Sequence, residues 1–205
     1  MKKLSVLFAV LLMTVGASAQ FKYGVKAGIN AAQLSALSDV PGAKATDMKI
    51  GFHAGLHMNY SFTDLIGLQY EAVFSMQGGS NKVSIEGTAA TTKLNFNYIN
   101  IPVLLEIKPF QNFSIFVGPQ FGFNIFKSLS ASMGGQSGSI SGKEFENNMG
   151  KVNTIDIAAI GGIQYAIMGQ FLISARYNFG FTKTLELAKG GMCNRVIQIG
   201  VGYQF

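Results

Sequence analysis

Cysteine is nearly absent. Cys193 is the one cysteine in 205 residues, so no intramolecular disulfide can staple the chain. Nothing around it supplies the histidine that a catalytic thiol needs. Charge is scarce too: Asp, Glu, Lys and Arg make up 13% of the residues, against about 25% in soluble domains, which is thin cover for a surface facing water. The 16 basic residues outnumber the 10 acidic ones, but they are scattered, which argues against a nucleic-acid groove and makes nucleic acid an unexpected partner. Beyond the first 19 residues no apolar run approaches the roughly 18 residues that a spanning helix needs. If this chain enters a membrane, it does so as strands.

The first 19 residues read as a leader. Lys2 and Lys3 precede an apolar run from Leu4 to Val15, and Ala17-Ser18-Ala19 is a small-residue cleavage pattern. The expected division is a signal peptide over 1–19 and one barrel domain over 20–205. With no cysteine at Gln20 the lipoprotein reading fails.

The rest alternates with period two, which a helix would scramble. Phe21, Tyr23, Val25, Ala27 and Ile29 share one face, with Lys22, Gly24, Lys26, Gly28 and Asn30 on the other. A second strand runs over about 50–62 and a third over 66–77, where Val73 is the one misfit. A fourth, about 94–108, changes phase between Tyr98 and Ile99 and contains Pro102, which cannot donate to a ladder, so a bulge is expected there. Four more follow at about 113–126, 152–165, 171–181 and 195–205. The connections alternate in length, short at Thr63-Asp64, 109–112 and 166–170, long at 31–49, 78–93, 127–151 and 182–194. Short periplasmic turns and long external loops are the habit of outer-membrane barrels. The Ser/Gly-rich stretch 128–142 reads as a mobile loop. The expected fold is all-β, an eight-stranded antiparallel up-and-down transmembrane β-barrel.

Alternation alone does not say which face meets lipid. The non-apolar face is mostly Gly, Ser, Asn and Gln, which suits a cramped interior better than a solvated surface. The apolar face carries Phe21, Tyr23, Tyr60, Phe62, Phe113, Tyr165, Phe171, Tyr203 and Phe205 near the short-turn ends, and Phe52, Phe74, Phe96, Phe123 and Phe181 near the other rim. Two aromatic belts are what a membrane-spanning wall presents at headgroup level. The alternative is a soluble lipocalin-like carrier with a phenylalanine-rich core.

Phe21 to Gly28, Asn97 to Leu105, Val117-Gly118-Pro119, Asp156 to Gly162, Arg176-Tyr177-Asn178 and Gly202-Tyr203-Gln204-Phe205, taken in order, resemble the PorT-like outer-membrane β-barrel proteins, related in architecture to small OmpX- and OmpA-type barrels. The likeness spans essentially the whole chain after the leader. It implies residence in the bacterial outer membrane and recognition of the C-terminal Phe205 by barrel-assembly machinery. The family assigns no common activity.

The inward face is expected to hold Lys22, Lys26, His53, His57, Glu71, Glu106, Lys108, Asp156 and Arg176. An eight-stranded lumen is about filled by side chains, so these form a structural polar network of paired charges and not a porin channel. His53 and His57 point the same way, but four residues of strand separate them by about 13 Å. One metal ion cannot bridge that, and no carboxylate cluster helps. No metal, cofactor or catalytic residue is expected. An enzyme modifying lipid A is the alternative from another class, opposed by histidines that face the lumen. The long connections hold Lys44, Lys49, Lys82, Lys93, Lys127, Lys143, Lys151, Lys183, Lys189 and Arg195 against Asp39, Asp47, Glu86, Glu144, Glu146 and Glu186. Lys49, Lys93, Lys127, Lys151 and Arg195 fall at strand–loop junctions, where lipopolysaccharide phosphates would lie. The expected partners are outer-membrane lipid, lipopolysaccharide and an envelope protein. The expected role is a non-enzymatic envelope-structural or docking component working through external loops or the periplasmic rim.

Overall fold

The computed structural model describes residues 21–36, 45–85, 88–149, 151–187 and 190–205. The expected leader lies outside them. Period-two alternation resolves into strands β1 (Phe21–Ala36), β2 (Lys49–Ser61), β3 (Ile66–Ile85), β4 (Thr88–Phe110), β5 (Phe113–Met133), β6 (Gln136–Ser141), β7 (Ile155–Ile167), β8 (Phe171–Gly180), β9 (Leu185–Leu187) and β10 (Gly190–Gln204), with one helix, α1 (Gly142–Met149), between β6 and β7. Eight of the strands follow one another around a ring, β1-β2-β3-β4-β5-β7-β8-β10, and β10 closes it by pairing antiparallel with β1 from Gly24↔Gln204 to Ala36↔Met192. Closure leaves no unpaired edge within the wall, the condition for a sheet to cross a bilayer. Among the described residues no helix is long and apolar enough to cross a membrane.

The wall is apolar outside and polar inside. On β8 burial alternates without exception from Phe171 to Gly180, Phe171, Ile173, Ala175, Tyr177 and Phe179 outward and Leu172, Ser174, Arg176, Asn178 and Gly180 inward. Val25, Ile29, Leu56, Ile101, Val117, Ile163, Ile199 and Val201 are exposed around the circumference. The aromatic belt at the short-turn end holds two runs of touching rings: Phe21 meets Tyr60 at 4.6 Å and Tyr60 meets Phe62, while Tyr203 joins Phe171 and Phe205, and Phe205 reaches Tyr23 at 5.5 Å. At the other rim Phe52 contacts Phe74, while Phe123 and Phe181 are exposed.

Several expectations need correction. β4 does not change phase: Phe96, Tyr98, Asn100, Pro102, Leu104 and Glu106 all face inward. Phe96 therefore leaves the outer belt. The irregularity at this level belongs to β5, where Asn97 pairs with Phe126 but Tyr98 with Asn124, making Ile125 the extra residue. Pro102 and Pro119 interrupt the ladder without shifting register. The β3–β4 pairing skips from Tyr70↔Val103 to Val73↔Asn100, and the β4–β5 pairing from Pro102↔Gln120 to Leu105↔Val117. Val73 points inward as its position in the alternation requires, against Gly55, whose missing side chain makes room.

The long connections are largely built structure. β3 and β4 stay paired out to Ile85↔Thr88, β4 pairs with β5 out to Ala90↔Met133, and β5 pairs with β6 out to Met133↔Gln136. The Ser/Gly-rich stretch expected to be mobile is thus a β-hairpin, its low β-propensity overridden by the ladder that β4 and β5 extend beside it. It leads directly into α1.

Candidate functional site

The short-turn end of the lumen opens into a cavity of about 800 Å³, lined among others by Lys22, Ser61, Glu106, Lys108, Gln164 and Gln204. Glu106 is buried at its inner end. Asn59 Nδ2 donates to Glu106 Oε2 at 2.9 Å, and Lys108 Nζ lies 3.3 Å from the same oxygen. Lys22 is exposed at this mouth, apart from the charges deeper in the lumen.

The middle of the lumen is a connected polar layer. Glu71 on β3 receives Lys26 Nζ on one carboxylate oxygen and Arg176 Nη1 on the other, both at 2.7 Å. All three side chains are buried, and their charges sum to one positive, so the carboxylate is what makes both cations tolerable away from water. Arg176 Nε donates to Gln198 Oε1 at 2.6 Å, and Gln198 Nε2 donates to Asn30 Oδ1 at 2.7 Å. Asn30 Nδ2 reaches Ser75 Oγ at 3.0 Å. His53 Nδ1 lies 2.8 Å from Asn30 Oδ1, which only accepts, so the proton sits on Nδ1. Gln69 joins the two levels, donating to Glu71 and accepting from Asn59 at 3.0 Å. His57 is buried above Gly24, its Nε2 without a hydrogen-bond partner.

Of the residues expected in one network, Lys26, Glu71, Arg176 and His53 are joined, Glu106 connects through Asn59 and Gln69, and Lys22 and Asp156 stand at opposite ends. Asn30, Gln69, Gln120, Asn178 and Gln198 complete it and were not singled out. Their signal was present, uncharged amides on the inward phase, but amides mark a polar face without naming partners. Among the described residues no group of three or more His, Cys, Asp or Glu side chains is placed to hold a metal ion.

The outer end of the lumen is closed by an apolar cap. Leu34, Leu94, Phe96, Tyr98, Val152 and Leu185 form a buried cluster around Phe145 of α1, whose ring stands edge-on to Phe96 at 5.9 Å. Lys143, Glu144, Glu146 and Asn147 make its neighbouring positions polar, and an ion pair between Lys127 and Glu146 ties α1 to β5. Glu146 lies outside the wall. The hydrogen bond from Lys127, aided by its charge, holds the Glu146 carboxyl below its ordinary pKa.

The expected rim cations are differently employed. Lys49 Nζ donates to the Gln77 carbonyl at 3.2 Å, and Lys93 is close enough to act on it by charge. Arg195 stacks on the Phe179 ring at 3.7 Å and donates to the Gly180 and Asn194 carbonyls. Lys127 is occupied by Glu146, and Lys151 is exposed. Lys44, Lys189, Asp39 and Glu86 lie outside the described residues, as does the Glu186 side chain. The middle of the lumen is occupied by this network and its outer end is capped by apolar side chains, so the two rims and the cavity at the short-turn end are what stay open.

Comparison with known proteins agrees with this architecture. The attachment invasion locus protein Ail of Yersinia pestis, solved in complex with the heparin analogue sucrose octasulfate, superimposes with a TM-score of 0.52 at 17% identity, over 91% of this chain and 99% of that one. Neisserial surface protein A gives 0.55 at 14% identity, over 89% and 97%. No curated protein matches. The family model described as "Outer membrane protein beta-barrel domain" matches residues 16–186. The chain belongs to this family of outer-membrane β-barrels.

Proposed function

We propose that this protein is a non-enzymatic component of the outer membrane that docks another envelope or surface protein through its external sheet. One observation carries the reading: the strands β3, β4, β5 and β6 stay hydrogen-bonded beyond the apolar belt, where the side chains turn polar. Among the described residues β6 pairs only with β5, which leaves the other edge of Gln136–Ser141 free. That edge carries no charge, proline or bulge, the features that usually protect an exposed strand from pairing. An extended segment of a partner adds to such an edge through main-chain hydrogen bonds.

The enzyme alternative has less support. His53 is committed to Asn30 inside the lumen, and among the described residues neither histidine is bonded to a serine hydroxyl. Within the family, we read the motifs around Asn97–Leu105 and Gly202–Phe205 as a likeness to the PorT-like barrels, and the exposed Phe205 is the feature we assign to barrel-assembly machinery. Lys49, Lys93, Lys151 and Arg195 remain candidate contacts for lipopolysaccharide phosphates, with Lys127 already neutralised by Glu146.

A photo-crosslinking residue at Gln136 or Ser139 in intact cells tests this reading. A discrete protein adduct from these positions is expected. Adducts arising only from Thr63 in a short turn would move the function to the periplasmic rim, and lipopolysaccharide adducts alone would reduce it to a structural one.

A further inference from the structure

The cavity of about 800 Å³ at the short-turn end is ringed by inward side chains whose hydrogen bonding is one-sided. On β2 and β4 they satisfy one another: Asn59 Nδ2 and Lys108 Nζ both reach Glu106 Oε2, and Lys108 Nζ also donates to Ser61 Oγ at 3.2 Å. On β5, β7, β10 and β1 they do not. Ser114 and Gln164, direct partners across the β5–β7 pairing, are each 7% exposed, and Gln204 on β10 is 8% exposed. All three line the cavity, and among the described residues none of their side chains has a hydrogen-bond partner. Gln204 pairs with Gly24, and Lys22, the next inward position of β1, puts an exposed ammonium on the same side of the mouth. Among the described residues Lys22 takes part in no ion pair. Asp64, the other acid of the lining besides Glu106, sits on the exposed turn between β2 and β3, with the satisfied half.

A buried amide or hydroxyl is costly until something bonds to it. The two primary amides each offer a donor and an acceptor, the pairing that a peptide main chain repeats at every residue. The ammonium beside them supplies what a terminal carboxylate needs. Leu172, inward on β8 between the two amides in ring order, gives a ligand side chain apolar surface. A sugar acid carries the same charge, but pyranose faces bind against aromatic rings, and the aromatic residue of this lining, Phe110, stands 73% exposed at the mouth. The volume falls in the ordinary range of small-ligand sites, about 300–1,000 Å³.

We propose that this cavity binds short peptides with a free C-terminal carboxylate, entering from the short-turn side: Lys22 takes the carboxylate, and Gln164, Gln204 and Ser114 take the main chain.

The test titrates the whole chain, refolded in detergent with isotope-labelled glutamine, with trialanine, with the C-terminal amide of trialanine and with galacturonate. Trialanine should shift the side-chain amide signals of Gln164 and Gln204, assigned through Gln164→Leu and Gln204→Leu. It should bind about tenfold or more tighter than its amide, the worth of one charge-assisted hydrogen bond. Lys22→Met, at an exposed position, should keep the heat-dependent gel shift and bind acid and amide alike. Unmoved glutamine signals, equal affinity for acid and amide in the wild type, undiminished discrimination in Lys22→Met, or tighter binding of galacturonate than of trialanine overturns the proposal.

Discussion

Glu71 on β3 and Arg176 on β8 meet across the lumen at 2.7 Å, joining two strands that are not neighbours in the wall. With Lys26 on the other carboxylate oxygen, the acid stands between two cations. Removing it differs from removing either cation. Glu71→Gln leaves two buried positive charges facing each other and should destabilise the barrel by about 3–5 kcal/mol. Lys26→Met leaves one matched pair and should cost clearly less. Urea midpoints of the two variants in the same detergent check the order, and equal losses would mean that the triad is not the charge balance of the lumen.

Gly28 faces His53 across the β1–β2 pairing. A Cβ there would come within 2.1 Å of the Ile199 carbonyl oxygen and 2.6 Å of the His53 ring. The backbone cannot yield as a flexible side chain can, so Gly28→Ala should lower the unfolding temperature, whereas an alanine at Gly138, which has open space around it, should leave it unchanged. The thermal gel shift of the two variants measures this.

The Lys127–Glu146 tie should depend on acid. The Glu146 carboxyl is held below its unfolded value, so its contribution is present above that value and is lost as pH falls through the depressed one. Amide hydrogen exchange in α1 should therefore speed up on acidification below the ordinary glutamate range, beyond the intrinsic pH dependence of exchange. Lys127→Met should show fast exchange already at neutral pH.

Phe145 is the apolar side chain that, among the described residues, α1 sets into the cap. Truncating a fully buried phenylalanine removes about 3–5 kcal/mol in an ordinary core. Here the loss should fall on the attachment of the helix and not on the wall. Phe145→Ala is expected to free the α1 amides for exchange while the barrel keeps its gel shift. A collapse of the whole barrel would show that the cap is part of the folding core.

What was legible in the sequence follows from one periodicity. Eight strands, their antiparallel order and the lipid-facing side could be read because most of the wall keeps one alternation, and because the belt at the short-turn end is nine aromatic residues in phase. The cap could not be read that way. Leu34, Leu94, Phe145, Val152 and Leu185 are isolated apolar residues in five polar stretches, and only the closed ring brings them together. For Phe96 the alternation misleads, because an aromatic residue near a rim fits a belt. The bulge that seemed to lie in β4 lies in β5, which leaves Phe96 and Tyr98 inward. The charged lumen residues were recognisable as inward, but the links that Gln198 and Asn30 make depend on register across the β1–β10 seam.

The central claim is that the alternating apolar face is in lipid and the polar face is inside. Spin labels placed singly at 197, 198, 199 and 201 on β10, in a Cys193→Ser background in bilayers, test it most directly. Labels at Ile197, Ile199 and Val201 are predicted to be accessible to oxygen and protected from a water-soluble relaxant, while that at Gln198 is shielded from lipid. The opposite alternation, or water access at Ile197, Ile199 and Val201, would contradict the account.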